Sequence, residues 1–238
     1  MKGALLLLAV FLTLNLQGQN WWGNGIKGEG PIVKKTLKVA DFKGFVLATS
    51  GNVYLRQGSN QSVEVESHQN IIDNIVTDLE EGIWKIKFKN PVSRYDKFNV
   101  YITVPTLTKA AISGSGDIKG ETPFKGLGAV TLSISGSGDL MMEVEGESVD
   151  AKISGSGDIN VKGKAKSLKA AISGSGDIVA EYLNVADAAV SISGSGDVSV
   201  NASENLNVQT SGSGDVSYRG RPRVQSRVSG SGSLTSKQ

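Results

Sequence analysis

One pentapeptide, Ser-Gly-Ser-Gly-Asp, recurs through the second half of the chain and constrains the fold more than any other feature of the sequence. Successive copies start 22, 19, 19, 20, 18 and 18 residues apart, and the last copy, 229–233, ends in serine in place of aspartate. A unit of about 19 residues that repeats with small insertions is typical of a solenoid built from stacked coils. The first serines of the seven copies are Ser113, Ser135, Ser154, Ser173, Ser193, Ser211 and Ser229.

Apolar residues flank each copy at even spacings. The stretch Ile159-Asn160-Val161-Lys162, which follows one copy, alternates β-branched and polar side chains. Residues two apart in an extended chain point to the same side, so this pattern favours strands over a helical face with a period of 3.6 residues.

A single coil of this length cannot bury its own apolar side. Coils stacked about 4.8 Å apart bury that side and pair their backbone groups with the coils above and below. The sequence therefore predicts an all-β fold, a parallel β-helix. If the pentapeptide is extended, its glycines face inward and its serines and aspartate face outward; if it bends, the glycines supply a positive φ or a close backbone approach.

The chain is predicted to contain a signal peptide, a flexible lead-in and one folded domain. Residues 1–18 hold Lys2 and an apolar run from Ala4 to Leu16, which is too short to cross a bilayer and is typical of a secretory signal. Residues 19–35 are the flexible lead-in, and 36–238 form a single β-helix domain. We therefore expect an exported protein with no integral membrane segment after signal cleavage.

The domain itself has a regular and an irregular part. Residues 111–234 are the regular coils, whereas 36–110 are either irregular N-terminal coils or a separate antiparallel β cap. The stretch Ser50-Gly51-Asn52-Val53 looks like a diverged pentapeptide. It lies 63 residues before Ser113, which suggests a separation of about three coils.

The tandem Ser-Gly-Ser-Gly-Asp coils, the signal sequence and the region from Phe42 to Glu66, with its Gly51-Asn52-Val53 and Gln57-Gly58 features, resemble the family described as "putative auto-transporter adhesin, head GIN domain" (DUF2807). The resemblance covers about 36–233. It implies a right-handed parallel β-helix, a secreted or envelope protein of Gram-negative bacteria and a role in cell adhesion. It supplies no catalytic residues. Some relatives begin with a lipoprotein cysteine, which this sequence lacks.

Enzymatic chemistry finds little support in the sequence, and we predict that the protein is not an enzyme. A glycosidase needs two carboxylates in different environments, whereas the repeated aspartates occupy equivalent positions. His68 is the sole histidine and has no evident nucleophile as a partner. A carbohydrate-active enzyme remains the alternative if Asp150, Glu181 and Asp187 form a unique acidic cluster, and a periplasmic structural protein is a further alternative.

The stacked aspartates raise the question of a bound ion. Six carboxylates about 5 Å apart repel one another unless they are solvated, accept backbone N–H groups or neutralise a cation. The repeat lacks the spacing of calcium-binding β-rolls, so we expect turn capping and no cofactor, with calcium as the less favoured alternative.

The C-terminal coil is basic. Arg219, Arg221, Arg223 and Arg227 lie around Pro222, and we interpret them as charges that protect a strand edge from aggregation. The net charge of +2 and the lack of a nucleic-acid-binding motif argue against a nucleic-acid partner.

The outward serines and aspartates of the pentapeptides are the predicted binding residues. They would form an evenly spaced hydroxyl and carboxylate face for a surface glycan or another cell-surface protein, bound by many weak contacts. The sequence leaves the oligomeric state open, as well as the choice between the cell surface and the periplasm. The predicted residues are Ser113, Asp117, Ser135, Asp139, Ser154, Asp158, Ser173, Asp177, Ser193, Asp197, Ser211 and Asp215.

Overall fold

The computed structural model describes residues 25–237 as an almost entirely β structure. The signal peptide predicted for 1–18 lies outside the described residues. No helix among those residues is long and apolar enough to cross a membrane. The elements are β1 Ile26–Lys27, β2 Ile32–Thr36, β3 Gly44–Leu47, β4 Asn52–Gln57, β5 Ser62–His68, α1 Gln69–Asp73, β6 Leu79–Glu80, β7 Ile83–Ile86, β8 Val92–Arg94, β9 Asn99–Val104, β10 Lys109–Ile112, β11 Asp117–Gly120, β12 Phe124–Ile134, β13 Leu140–Ile153, β14 Ile159–Ile172, β15 Ile178–Gly194, β16 Val198–Gly212, β17 Val216–Arg219, β18 Arg223–Gly230 and β19 Leu234–Ser236.

The predicted parallel β-helix is confirmed. From β12 onward each strand pairs in parallel with the equivalent strand of the next coil, as in the unbroken register from Leu140↔Ile159 to Met142↔Val161. The regular coils consist mainly of one long strand, such as β13 or β14, closed by one pentapeptide. The solenoid has about seven turns of about 19 residues.

The predicted inward positions form the core. Residues before the first serine and after the aspartate are buried in every copy except the last, and isoleucine stacks on isoleucine from coil to coil, as in Ile153↔Ile172↔Ile192. Thr210 occupies the same inward position and is also buried. The alternation read from the sequence therefore correctly identified the face that packs inside.

The N-terminal coils are stacked in an order that differs from their order in the chain. Strand β4 lies between β9 and β11, and β3 lies between β7 and β10, all in parallel. Residues 83–104 therefore provide the outermost coil, 44–57 the next and 109–120 the third. Asn52 pairs directly with Asp117, so the expected separation of three coils was wrong: the intervening residues build the outer coil and the end of the solenoid.

Antiparallel strands cover the N-terminal end. Strand β5 pairs antiparallel with β9, β2 pairs antiparallel with β5, and β6 pairs antiparallel with β7. These strands belong to the same 17-stranded sheet as the coils. Residues 25–35, within the predicted lead-in, contain β1, which pairs with β8, and most of β2, which pairs with β5.

Candidate functional site

The pentapeptides form one continuous face along the regular coils, which we call the ladder face. The six first serines among the predicted binding residues are exposed, as are all the aspartates except the half-buried Asp177. In the described part of the chain, no pentapeptide serine hydroxyl forms a hydrogen bond with another protein group until Ser233 in the last copy. The predicted residues are therefore brought together on one surface, and their hydroxyl groups face solvent.

The glycines explain why the pentapeptide is so uniform. A Cβ atom added to Gly157 would lie well under 3.0 Å from the carbonyl oxygen of Gly138, and the same holds for both glycines in every copy from 135 onward. Side chains never tolerate such a distance to backbone, so only glycine allows the coils to approach here. The first glycine also leaves the usual backbone region in later copies, as in Gly212 with φ 143°.

The aspartates connect one coil to the next. The backbone N–H of Asp139 donates to Oδ1 of Asp117 at 2.9 Å, and the bond repeats at every later copy with distances between 2.7 and 3.1 Å. The backbone carbonyl oxygen of Asp139 in turn accepts a hydrogen bond from the preceding coil, donated by the N–H of Ile118 at 2.8 Å. Each carboxylate thus supplies an acceptor that the bent backbone of the corner does not provide.

The end of the ladder fits this role. Ser233 occupies the fifth position of the last pentapeptide, where the other copies have aspartate. Its N–H and its hydroxyl both donate to Oδ1 of Asp215. Among residues 25–237 no further coil follows that would need an acceptor from position 233. We therefore interpret the aspartate as an inter-coil cap, whereas the sequence suggested a cap within its own turn.

Metal binding gains no support from side-chain clustering. Within the described residues there is no group of three or more histidine, cysteine, aspartate or glutamate side chains placed to hold an ion. One oxygen of each ladder carboxylate already accepts a backbone N–H.

An open groove of about 580 Å³ crosses a different part of the solenoid surface. Asp150 and Asp187 both line it, together with Lys169 and Asn207. The polar residues of the groove differ from coil to coil, so no repeated pattern in the sequence indicates the groove as a unit. Only register pairing, such as Asp150↔Lys169↔Ala189, brings them side by side.

Asp150, Glu181 and Asp187, which the sequence singled out as a candidate acidic cluster, each have a partner of their own. Asp150 forms an ion pair with Lys152 at 2.5 Å, and Asp187 accepts a hydrogen bond from Asn205 at 2.7 Å. Their strands are two coils apart, or about 10 Å. Asp187 lies in register with Ser167 and Ser148 and not with Asp150, so the backbone positions of the two aspartates are further apart than about 10 Å, whereas the two carboxyl groups of glycosidases are about 5–9.5 Å apart. Glu181 is engaged elsewhere, with Arg219 at 3.1 Å.

The sole histidine has a structural environment. His68 is buried, and its Nδ1 donates to the carbonyl oxygen of Gly30 at 2.8 Å. Its Nε2 lies 3.4 Å from the Asp96 carboxylate, so both ring nitrogens face partners that tie the N-terminal strands together.

A polar cluster marks the N-terminal end of the solenoid. Hydrogen bonds from Lys97 and Tyr101 hold the pKa of the Glu66 carboxyl below its ordinary value, with the Lys97 bond the larger cause. Burial is the main reason why the pKa of Tyr101 is raised. The ring of Tyr101 stacks on Tyr54 with centroids 5.1 Å apart. The hydrogen bond from Tyr101 to Glu66 joins β9 to β5.

Comparisons with known proteins show that the fold is shared with solved structures of bacterial proteins. A "putative adhesin" from Bacteroides fragilis NCTC 9343 is 24% identical, with a TM-score of 0.79 over 90% of this chain and 100% of its own. A "putative adhesin" from Parabacteroides distasonis ATCC 8503 is 28% identical, with a TM-score of 0.73 over 90% and 100%. A "putative lipid binding protein" from the same strain is 23% identical, with a TM-score of 0.74 over 90% and 99%.

No curated protein matches this sequence. The model of one family, described as "Putative auto-transporter adhesin, head GIN domain", matches residues 41–222. That span includes six of the seven pentapeptides, the inward isoleucine ladder and most of the irregular coils. The chain belongs to the family described as "Putative auto-transporter adhesin, head GIN domain".

Proposed function

We propose that the protein is an exported, non-enzymatic surface-binding module that contributes to cell adhesion through the ladder face. The observation that carries the proposal is the row of exposed serine hydroxyls, repeated once per coil at two positions and free of protein partners in the described residues. Membership of an adhesin family and the adhesin descriptions of structural neighbours support the same role.

The rigidity of the ladder face favours binding to a repetitive partner. The two glycines and the capping aspartate fix each pentapeptide against the next, so the hydroxyl groups keep one spacing of about 4.8 Å along the face. Weak contacts repeated along a rigid surface add up because the first contact raises the effective concentration of the others. A surface glycan with a regular repeat, or a repetitive surface protein, is the partner class that this arrangement suits.

The environments of the acidic residues support the non-enzymatic assignment. Asp150 and Asp187 each have a cationic or amide partner and lie two coils apart, and the ladder aspartates serve the backbone. A carbohydrate-active enzyme would need two carboxylates at a defined separation around one sugar bond. We therefore assign binding and not hydrolysis to this surface.

A binding experiment with the folded protein tests the ladder face. Ser156, Ser175 and Ser195 are exposed second serines of three adjacent copies, and replacing all three with arginine would block the face while leaving the caps intact. A glycan array and intact bacterial cells are the probes. We expect the triple variant to lose binding and to keep its circular dichroism spectrum and melting temperature.

The matched control adds the same charge elsewhere. Asn207→Arg, Gln209→Arg and Thr235→Arg change exposed neutral residues outside the pentapeptides, and this variant should bind as the unmodified protein does. Equal loss in both variants would assign binding to general charge effects and reject the ladder face. Hydrolysis of any bound glycan would reject the non-enzymatic assignment.

Location is tested separately by protease treatment of intact and lysed cells. Degradation in intact cells is the result expected of a surface adhesin. Full protection until the outer membrane is broken would reject adhesion and support the periplasmic structural role.

A further inference from the structure

The two ends of the solenoid are finished differently. At the N-terminal end the strands β5, β2 and β6 cover the outer coil in antiparallel pairing. At the C-terminal end β18 pairs with β16 and β19 pairs with β17. Among residues 25–237, β18 pairs in register only with β16 and β19 only with β17, so their outer edges present unpaired backbone N–H and C=O groups.

The last coil also leaves apolar side chains uncovered. Val224 and Val228 continue the inward positions of Leu206 and Thr210 by register. Leu206 and Thr210 are only 1% and 3% exposed, whereas Val224 and Val228 are 36% and 40% exposed. The valines occupy core positions without a coil above them, and a strand added to β18 would cover them.

The charge of this end selects the partner. Residues 216–238 contain no aspartate or glutamate, and Arg221, Arg223, Arg227 and Lys237 form no ion pair within the described residues. Arg221 and Lys237 also line an open cavity of about 530 Å³ at this end. A second copy docked end to end would bring two such basic edges together, whereas an acidic strand would meet opposite charge.

We infer that the outer edge of β18 binds an extended, acidic segment of another protein by β-strand addition. The backbone of the segment pairs with the free edge, its alternate apolar side chains cover Val224 and Val228, and its acidic side chains lie beside Arg223 and Arg227. The edge residues that the inference uses, 223–228, precede the last pentapeptide, so the inference stands or falls independently of the proposed function.

Synthetic peptides test the inference with the whole chain. The probe is a fluorescent octapeptide that alternates glutamate and valine, and binding is measured by anisotropy at low and high salt. We expect saturable binding that weakens with salt, and no binding of an octapeptide that alternates lysine and valine. The variant Arg223→Glu/Arg227→Glu should weaken binding of the acidic peptide about tenfold or more, since two attractive pairs become repulsive.

Two controls separate strand addition from charge attraction. Lys164→Glu/Lys169→Glu makes the same charge change on the exposed face of a middle coil and should leave binding within about twofold. An acidic peptide with N-methyl groups on alternate amides keeps its charge but cannot pair through that edge, and it should not bind.

Three results would overturn the inference. The first is equal binding of the acidic and basic peptides, or binding of neither peptide. In that case the arginines would only protect the strand edge from aggregation and would not select a partner. The second is equal binding of the N-methylated peptide, which would reduce the interaction to charge. The third is a concentration-dependent dimer that Val228→Lys dissolves in sedimentation experiments, which would assign the edge to a second copy.

Discussion

The capping role of the ladder aspartates predicts a specific contrast between two substitutions of Asp177. Its Oδ1 accepts the backbone N–H of Asp197 at 2.8 Å, and its own N–H donates to Oδ1 of Asp158 at 2.8 Å. Asp177→Ala removes the acceptor and leaves the Asp197 N–H without its partner. Asp177→Asn keeps an oxygen acceptor at the same position and removes the negative charge.

The magnitudes follow from two opposing effects. A hydrogen bond to a charged acceptor contributes about 1.5–3 kcal/mol, and the partial exposure of this corner favours the lower end of that range. Each neighbouring carboxylate about 5 Å away repels Asp177 by about 0.8 kcal/mol in water before salt screening, and by about half of that at physiological salt. Asp177→Ala should therefore lower the free energy of unfolding by about 1 kcal/mol.

Asp177→Asn should change the free energy of unfolding little. A neutral acceptor retains about 1 kcal/mol of the bond, and relief of repulsion from the two neighbouring carboxylates offsets most of the remainder. Ser175→Ala in the same pentapeptide is the control, since its exposed hydroxyl has no protein partner in the described residues.

Amide hydrogen exchange and thermal unfolding together test this reasoning. In the alanine variant the Asp197 amide should exchange faster, and the melting temperature should fall by about 2–4 °C, as expected for a domain of this size. The asparagine and Ser175→Ala variants should keep the Asp197 amide protected. An Asp197 amide equally protected in the alanine variant, or an asparagine variant as unstable as the alanine one, would refute the capping role.

Three further substitutions test other parts of the fold. Gly157→Ala should lower the free energy of unfolding by about 1–3 kcal/mol or more, because the new Cβ would press on the carbonyl oxygen of the neighbouring coil. A Cβ at Gly128 has nothing within 4 Å, so Gly128→Ala should change the free energy of unfolding by less than about 0.5 kcal/mol. Equal denaturant midpoints for the two variants would contradict the close approach. The buried Thr210 hydroxyl has no hydrogen-bond partner, so Thr210→Val should raise the denaturant midpoint by the equivalent of about 1 kcal/mol. A loss of stability would show that the hydroxyl forms a hydrogen bond in solution. The pKa of Glu66 lies below its ordinary value of 4.5, mainly because of the hydrogen bond from Lys97. The ion pair therefore stabilises the N-terminal end above pH 4.5, and the stabilisation is lost as pH falls through the lowered pKa. Glu66→Gln should flatten the acid side of the plot of stability against pH, and an unchanged plot would show that Glu66 does not contribute.

The regular half of the fold was accessible from the sequence because one coil repeats. Equal spacing of Ile153, Ile172 and Ile192 identifies both the inward face and the neighbour on which each residue stacks. The N-terminal half lacks this equal spacing. Asn52 pairs with Asp117 because the residues between them build the outermost coil and the end of the solenoid before the chain returns to pair with the other side of β4. No local pattern in the sequence indicates this order of coils.

The groove was not accessible for a related reason. Asp150 and Lys169 come from neighbouring coils, and their meeting depends on the register of the coils and not on a motif. Sequence spacing did suggest Asp150 and Asp187 as exceptional acids, but only the structure supplies their partners and the two coils that separate them.

The ladder separates residues repeated for structure from residues that are free to bind. Aspartate is present in the six copies whose carboxylate receives an N–H from the following coil, and it gives way to Ser233 in the copy that no described coil follows. Both glycines persist in that last copy, where they still lie on the coil below. Aspartate and glycine thus follow the contacts that each copy makes with its neighbours. The exposed serines follow no such contact, so their repetition across all seven copies has no structural cause in the described residues, and a ligand test should begin with them.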